Sequence, residues 1–230
     1  MTLPIIIALD TKDISRAKQI IESTKELINN YKVGLEFYLK NGQEGVRKLR
    51  QIGDFDLFLD LKLYDIPNTV KGAAESISEL KPKFLTVHAA GGSKMIQSAV
   101  AALPSTSITA VTVLTSFSES EFELMGQKMD IQNTVKSWAQ LAINAGATSI
   151  VCSPFEVGGL REISQSITLI TPGVRIEGDE KGDQARVMTP RQALDAGANF
   201  VVIGRPITQH LDSSGELIRS KIQEISATLK

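Results

Sequence analysis

Ala193-Leu-Asp-Ala-Gly197-Ala-Asn-Phe-Val-Val-Ile-Gly204 reads as a helix end, a glycine stop and then a β-strand, and Ala142-Ile-Asn-Ala-Gly146-Ala-Thr-Ser-Ile-Val-Cys-Ser153 echoes it. Glycine suits the left-handed position just past a helix end, so both segments mark the handover from helix to strand. Working outward from them, short β-rich apolar runs occur near residues 5 to 9, 31 to 35, 56 to 63, 83 to 88, 108 to 114, 148 to 152, 167 to 171 and 199 to 203. Most gaps between these eight candidate strands hold an amphipathic stretch, such as Ile14 to Asn29, Gly42 to Ile52, Val70 to Leu80 and Thr134 to Ala145. Repeated strand–helix units specify parallel pairing with right-handed crossovers, and eight of them can close into a barrel without an exposed edge. The expectation is an α/β chain with a (β/α)8 TIM-barrel fold, one catalytic domain over residues 1–230. A doubly wound open sheet would alternate similarly. Its Gly-x-Gly-x-x-Gly turn does not follow the first strand, where Asp10-Thr-Lys-Asp13 stands instead.

The composition narrows the function classes. Hydrophobic residues make up 42% of 230, enough for a substantial core, and no apolar run approaches the roughly 18 residues that span a bilayer. The apolar run at the N-terminus stops at Asp10 and has no basic leader, so a cytoplasmic location is expected. Cys152 is the one cysteine, which excludes an internal disulfide and a cysteine-rich metal site; it reads as a small buried residue. A net charge of −1, with Lys and Arg spread along the chain, offers no broad attraction to nucleic acid or anionic lipid. A small-molecule ligand is expected.

In a barrel the C-terminal strand ends converge on one mouth, where active sites sit. Leu57-Phe-Leu-Asp-Leu-Lys-Leu63 carries Asp60 and Lys62 two residues apart, hence on one face of a regular strand. Asp65 follows just beyond, and Lys32 lies on the preceding candidate strand, within reach of Asp60. The four form an alternating network Lys32, Asp60, Lys62, Asp65. Burying charge costs desolvation that the opposite charges must offset, so such a cluster points to use. The alternative is a set of salt bridges closing the barrel top. Asp10 ends the first strand in the same layer, where it equally suits a helix N-cap. His88 ends the fourth strand and reads either as a general acid or base or as a hydrogen-bonded structural histidine. With only His88 and His210 in the chain, a histidine zinc site is not expected.

A second cluster, Thr171-Pro-Gly-Val-Arg175, Gln184 and Gly204-Arg205, follows the seventh and eighth strands, where barrels recurrently bind phosphate. Gly204 allows close backbone approach and Arg205 offers a bidentate donor; a turn with a solvated arginine is the plainer reading. Between them, Glu177 to Gln184 is rich in glycine and charge and predicts a mobile loop.

Together these residues resemble the orotidine 5′-phosphate decarboxylase family, which makes uridine 5′-phosphate in pyrimidine biosynthesis. The matching segments are Ile7-Ala-Leu-Asp10, Lys32-Val-Gly34, Phe58-Leu-Asp60-Leu-Lys62-Leu-Tyr-Asp65-Ile-Pro-Asn-Thr69, Val87-His-Ala-Ala-Gly-Gly92, Leu114-Thr-Ser116, Thr171-Pro-Gly-Val-Arg175, Gly182-Asp-Gln184 and Gly204-Arg205. They follow the family's order across nearly the whole chain. The bare Asp-x-Lys-x-x-Asp also marks related sugar-phosphate enzymes, so the surrounding residues carry the assignment. The resemblance implies Lys62 as proton donor between Asp60 and Asp65, with Lys32 completing the network. It implies Asp10 and Lys32 at the ribose, Thr115 or Ser116 at the pyrimidine, and Arg175, Gln184, Gly204 and Arg205 at the phosphate. It also implies a homodimer in which Asp65 and Thr69 enter the neighbouring subunit's site, with no metal and no cofactor. Tyr64 departs from the His that many relatives carry.

The chemistry explains the charges. Losing CO2 from C6 of the pyrimidine leaves an electron pair in the ring plane, orthogonal to the π system, so the ring is a poor electron sink. A fixed ammonium at Lys62 can stabilise the carbanion and then protonate it. Asp60 could also repel the substrate carboxylate, although preorganisation is the stronger argument. Phosphate binding could close the loop from Gly178 to Gln184 over the site. Two rivals remain open. One is a magnesium-dependent barrel acting on sugar phosphates, such as a 3-keto-gulonate 6-phosphate decarboxylase or hexulose phosphate synthase, where an acidic residue on the second strand helps hold the metal that Lys32 would repel. The other is a noncatalytic barrel binding a nucleotide or sugar phosphate, which needs Gly204 and Arg205 but not the charged network.

Overall fold

The computed structural model describes residues 3–174 and 188–229. Eight parallel strands, β1 (Ile5–Ala8), β2 (Asn30–Gly34), β3 (Asp56–Leu63), β4 (Phe84–His88), β5 (Ser107–Val111), β6 (Ser149–Val151), β7 (Thr168–Thr171) and β8 (Phe200–Ile203), pair in sequence order. Pairing of β8 with β1 closes the barrel. The helices are α1 (Ile14–Thr24), α2 (Leu35–Arg50), α3 (Pro67–Ser76), α4 (Gly92–Ala102), α5 (Glu119–Leu124), α6 (Ile131–Asn144), α7 (Val157–Ile163), α8 (Pro190–Asp195), α9 (Arg205–Thr208) and α10 (Glu216–Thr228). The expected (β/α)8 barrel is the observed fold, and the eight candidate strands match the eight observed ones to within a few residues. Among the described residues no helix is long and apolar enough to cross a membrane.

Two apolar layers follow from strand alternation. Ile6, Ala8, Phe58, Phe84, Ile170 and Val202 point into the barrel and pack together, with Phe84 edge-on to both Phe58 and Phe200. Residues of opposite parity, such as Ile5, Ile7, Leu57, Leu59, Leu85 and Val87, face the helices. In α1, Ala17, Ile20, Ile21 and Thr24 are buried at helical spacing, and Asp13 caps the N-terminus by accepting from the Ser15 amide at 2.7 Å.

The echoed glycines behave alike. Gly146 and Gly197 sit at φ 96° and 112°, and the next amide in each case reaches back five residues, Ala147 to the Ala142 carbonyl and Ala198 to the Ala193 carbonyl, both at 3.0 Å. Both helices therefore close with the hydrogen bond of a Schellman turn before the chain enters the next strand.

Helix limits differ from the sequence expectation. The first amphipathic stretch stops at Thr24 rather than Asn29, because the Thr24 carbonyl turns the chain by accepting from Leu27 and Ile28 amides. The second helix begins at Leu35, directly after β2, instead of Gly42; Gly42 is a kink inside it at φ 60°. The third ends at Ser76, with a separate 3-10 turn over Ser78–Leu80.

Candidate active site

All strands run in one direction, so Asp10, Lys32, Asp60, Lys62 and His88 rise at the same rim. β2 aligns Lys32 with Ala8 of β1 and Phe58 of β3, all pointing inward, one step below Asp10 and Asp60. Lys32 Nζ lies 3.0 Å from Asp10 Oδ1 and 3.4 Å from Asp60 Oδ2. Lys62 Nζ lies 2.8 Å from Asp60 Oδ1. Negative and positive groups thus alternate from Asp10 through Lys32 and Asp60 to Lys62. Asp60 and Lys32 are the sheltered members, with side chains 13% and 12% exposed, while Asp10 opens to solvent at 55%.

Electrostatics follow the geometry. Burial works to neutralise Asp60, but the charges of Lys32 and Lys62 and the hydrogen bonds from Lys62 and Thr86 outweigh it and hold its carboxyl below the ordinary value. Burial also works against the Lys32 ammonium; the Asp10 and Asp60 carboxylates outweigh it and push its pKa above that of a free lysine. His88 is held below its ordinary value by burial and by the Lys62 charge, with Asp60 acting weakly the other way. Its ring tilts against Tyr64, 5.6 Å between centroids.

Lys62 stands in the left-handed region at φ 49°, where the β3–β4 register shifts between Leu59 and Leu63. The regular two-residue period invoked for Asp60 and Lys62 is therefore interrupted at Lys62 itself, and a bulge builds their contact. The Lys62 amide donates to Thr86 Oγ1 at 2.8 Å, and Thr86 Oγ1 lies 3.1 Å from Asp60 Oδ1. Sequence reasoning missed Thr86 because a threonine inside an apolar run is an ordinary strand residue.

Other expected residues fall around this centre. Asp10 pairs with Lys32, and helix capping belongs to Asp13 instead. Two glycines leave room beside the pair: a Cβ on Gly34 would stand 3.1 Å from Lys32 Nζ, and one on Gly204 would stand 3.4 Å from Asp10 Oδ2. Gly204 thus reaches the rim from β8, and Arg205 is exposed at the first position of α9. Thr115 and Ser116 are exposed in a turn after β5, closed by the Phe117 amide on the Leu114 carbonyl. Thr69 is exposed in the first turn of α3. Asp65 does not join the network within this chain: it is exposed, and its carboxylate accepts from the Ile66 amide at 2.6 Å. Arg175, Gln184 and the loop from Gly178 to Gln184 lie outside the described residues. Cys152 is buried beneath the rim, as expected, its thiol pushed up to about 12 chiefly by burial.

The arrangement can hold one ammonium rigidly against a carboxylate at the floor of an open mouth, where it can stabilise a nearby anion or deliver a proton to it. A family model described as "Orotidine 5'-phosphate decarboxylase / HUMPS family" matches residues 3–218. A protein named orotidine 5′-phosphate decarboxylase from Thermobifida fusca is 46% identical over 231 residues, with 99% of each chain covered. One of the same name from Erythrobacter litoralis is 41% identical over 230 residues, with 100% of each covered. The crystal structure of orotidine 5′-phosphate decarboxylase from Lactobacillus acidophilus superposes with a TM-score of 0.84 at 33% identity, covering 99% of each chain.

Proposed function

We propose that the chain, which belongs to the orotidine 5′-phosphate decarboxylase / HUMPS family, converts orotidine 5′-phosphate to uridine 5′-phosphate and CO2. The observation that carries this reading is the alternating row Asp10, Lys32, Asp60, Lys62, which ends on an ammonium at the open side of the mouth. As the C6–carboxylate bond breaks, its electron pair stays on C6 and CO2 departs. Lys62 Nζ then gives its proton to C6, and solvent restores the ammonium. Because Asp60 and Lys32 already hold Lys62 in a fixed frame, little reorganisation accompanies the charge that develops.

No cofactor enters this sequence. Both Asp10 and Asp60 are countered by lysine ammoniums, so a divalent cation would have to displace Lys32 to reach them, which disfavours the magnesium-dependent sugar-phosphate reading. Asp10 and Lys32 hold the ribose hydroxyls, Thr115 or Ser116 the pyrimidine edge, and Arg175, Gln184, Gly204 and Arg205 the phosphate. Gly204 supports this layout, because its bare backbone lies close to Asp10 and Arg205 follows it directly at the start of α9.

The active unit is a homodimer in the cytoplasm, each site completed by the partner subunit's Asp65 and Thr69. What supports the dimer is the segment that carries them, where Tyr64 and Ile66 are 62% and 67% exposed.

The deciding experiment follows ultraviolet absorbance after adding orotidine 5′-phosphate in the presence of chelator, for the wild type and for Lys62→Ala. Metal-independent conversion that the variant loses is the expected result. No conversion by the folded wild-type protein would overturn the reading, and sugar phosphates with magnesium would be assayed next.

A further inference from the structure

Thr86 lies on β4, completely buried, and touches substrate in no part of the scheme above. Its hydroxyl nevertheless joins the two residues on which the reaction turns. The Lys62 backbone amide can only donate, so at 2.8 Å Thr86 Oγ1 is its acceptor. A hydroxyl carries one hydrogen, and the Asp60 carboxylate can only accept, so that hydrogen points at Asp60 Oδ1, 3.1 Å away. Both bonds have their directions fixed by the partners.

The need for this link comes from the bulge. β3 pairs Leu59 with Leu85 and then Leu63 with Val87, so Asp60, Leu61 and Lys62 together stand opposite Thr86 alone. Extra residues in a bulge lose their ladder partners. The Lys62 amide is satisfied by a side chain, and its left-handed backbone, unfavourable for a residue with a Cβ, persists because the surroundings hold it. Within this bulge Lys62 Nζ stands 2.8 Å from Asp60 Oδ1.

We propose that Thr86 is a positioning residue for the decarboxylation: one hydroxyl locks the backbone of Lys62 and the carboxylate of Asp60 into a single frame and so aims the ammonium at C6. This rests on the reaction proposed above. Ground-state affinity comes from the phosphate and ribose contacts, whereas the Lys62 charge gains its value as the carbanion develops. Loss of the frame therefore acts on kcat and leaves KM nearly alone.

Thr86→Val keeps the shape and β-branching and removes the hydroxyl; Thr86→Ser keeps the hydroxyl and removes the methyl. With orotidine 5′-phosphate as substrate, Thr86→Val is expected to lower kcat roughly 10- to 100-fold with KM changed less than about threefold, and Thr86→Ser to stay near the wild type. A packing role alone predicts the opposite order, with valine benign and serine impaired. Wild-type kcat in Thr86→Val, beside an active wild type and an inert Lys62→Ala, overturns the proposal and leaves the reaction standing. If the wild type itself does not act on orotidine 5′-phosphate, the reaction fails, and a crystal structure of Thr86→Val still decides the positioning. Lys62 leaving the left-handed region, or Nζ leaving Asp60, is the expected result there; an unchanged Lys62 overturns it.

Discussion

Lys62 Nζ meets Asp60 Oδ1 at 2.8 Å from a backbone in the left-handed region, φ 49°. In a regular strand residues two apart share a face through the pleat. Here the pleat is broken between them, and the pair depends on the β3–β4 bulge instead. The carboxylate is the hub: Lys32, Lys62 and Thr86 all converge on Asp60.

Asp60→Asn removes the one negative charge that separates two ammoniums. Its kcat is expected to fall at least about 100-fold, and stability at pH 7 to drop by roughly 2 to 4 kcal/mol, the scale for breaking a sheltered ion pair. The Asp60 carboxyl is depressed in the folded protein by Lys32, Lys62 and Thr86 against the effect of burial. Its stabilisation is therefore complete above the unfolded value near pH 4 and is lost as pH falls through the lower folded value. Urea midpoints from pH 7 to pH 3 check this: the gap between wild type and variant should be wide at pH 7 and shrink with acid.

Glu156 titrates in the other direction. Burial pushes its carboxyl up to about 7, against the Ser153 amide that donates to it at 2.8 Å. A raised carboxyl contributes most as the neutral acid, below its unfolded pKa, and loses that contribution as pH rises toward about 7. Glu156→Gln is expected to stabilise the protein by about 1 to 3 kcal/mol at pH 8 and by almost nothing at pH 4. Equal gains at both pH values would assign the effect to packing instead of charge.

Gly197→Ala is expected to cost about 1 to 3 kcal/mol of stability. The backbone is left-handed at φ 112°, and an added Cβ would stand 3.0 Å from Arg161 Cγ. The Arg161 guanidinium is itself anchored on the Gly197 carbonyl at 2.9 and 2.7 Å, so it cannot withdraw freely. Gly53, with open space around it, should accept alanine within about 0.5 kcal/mol. Denaturant midpoints measure both, and kcat should not change in either, since Gly197 precedes β8 at the end of the barrel opposite the mouth.

The proposed sharing of sites between two subunits predicts complementation. Lys62→Ala and Asp65→Ala chains, each inactive as a homodimer, should regain part of the activity when mixed, because one of the two sites in a mixed dimer then carries neither substitution. No activity in verified mixed dimers would place Asp65 outside the neighbouring site.

Local chemistry made much of this legible along the chain. The apolar periods of strand and helix and the paired Gly146 and Gly197 stops each depend on neighbours a few residues apart, and together they specify a closed parallel barrel. Parallel closure then brings strand ends together, which is why Lys32 was readable as a partner of Asp60. The charged residue types on those strand ends were likewise visible, since charge in an otherwise apolar strand stands out.

Only the tertiary structure decided the rest. The slip between β3 and β4 is a relation between segments more than twenty residues apart, and no local period encodes it. Thr86 acquires its role solely through that slip, which sets its hydroxyl between the Lys62 amide and Asp60. Asp65, read into the network from its spacing and from the family resemblance, stands exposed in this chain with its carboxylate accepting from the Ile66 amide. The sequence by itself determined the barrel and the charges at its mouth, because both follow from side-chain chemistry and chain-local periods. Which charges touch, and through which backbone geometry, depended on strand register, and register exists only once the strands have packed.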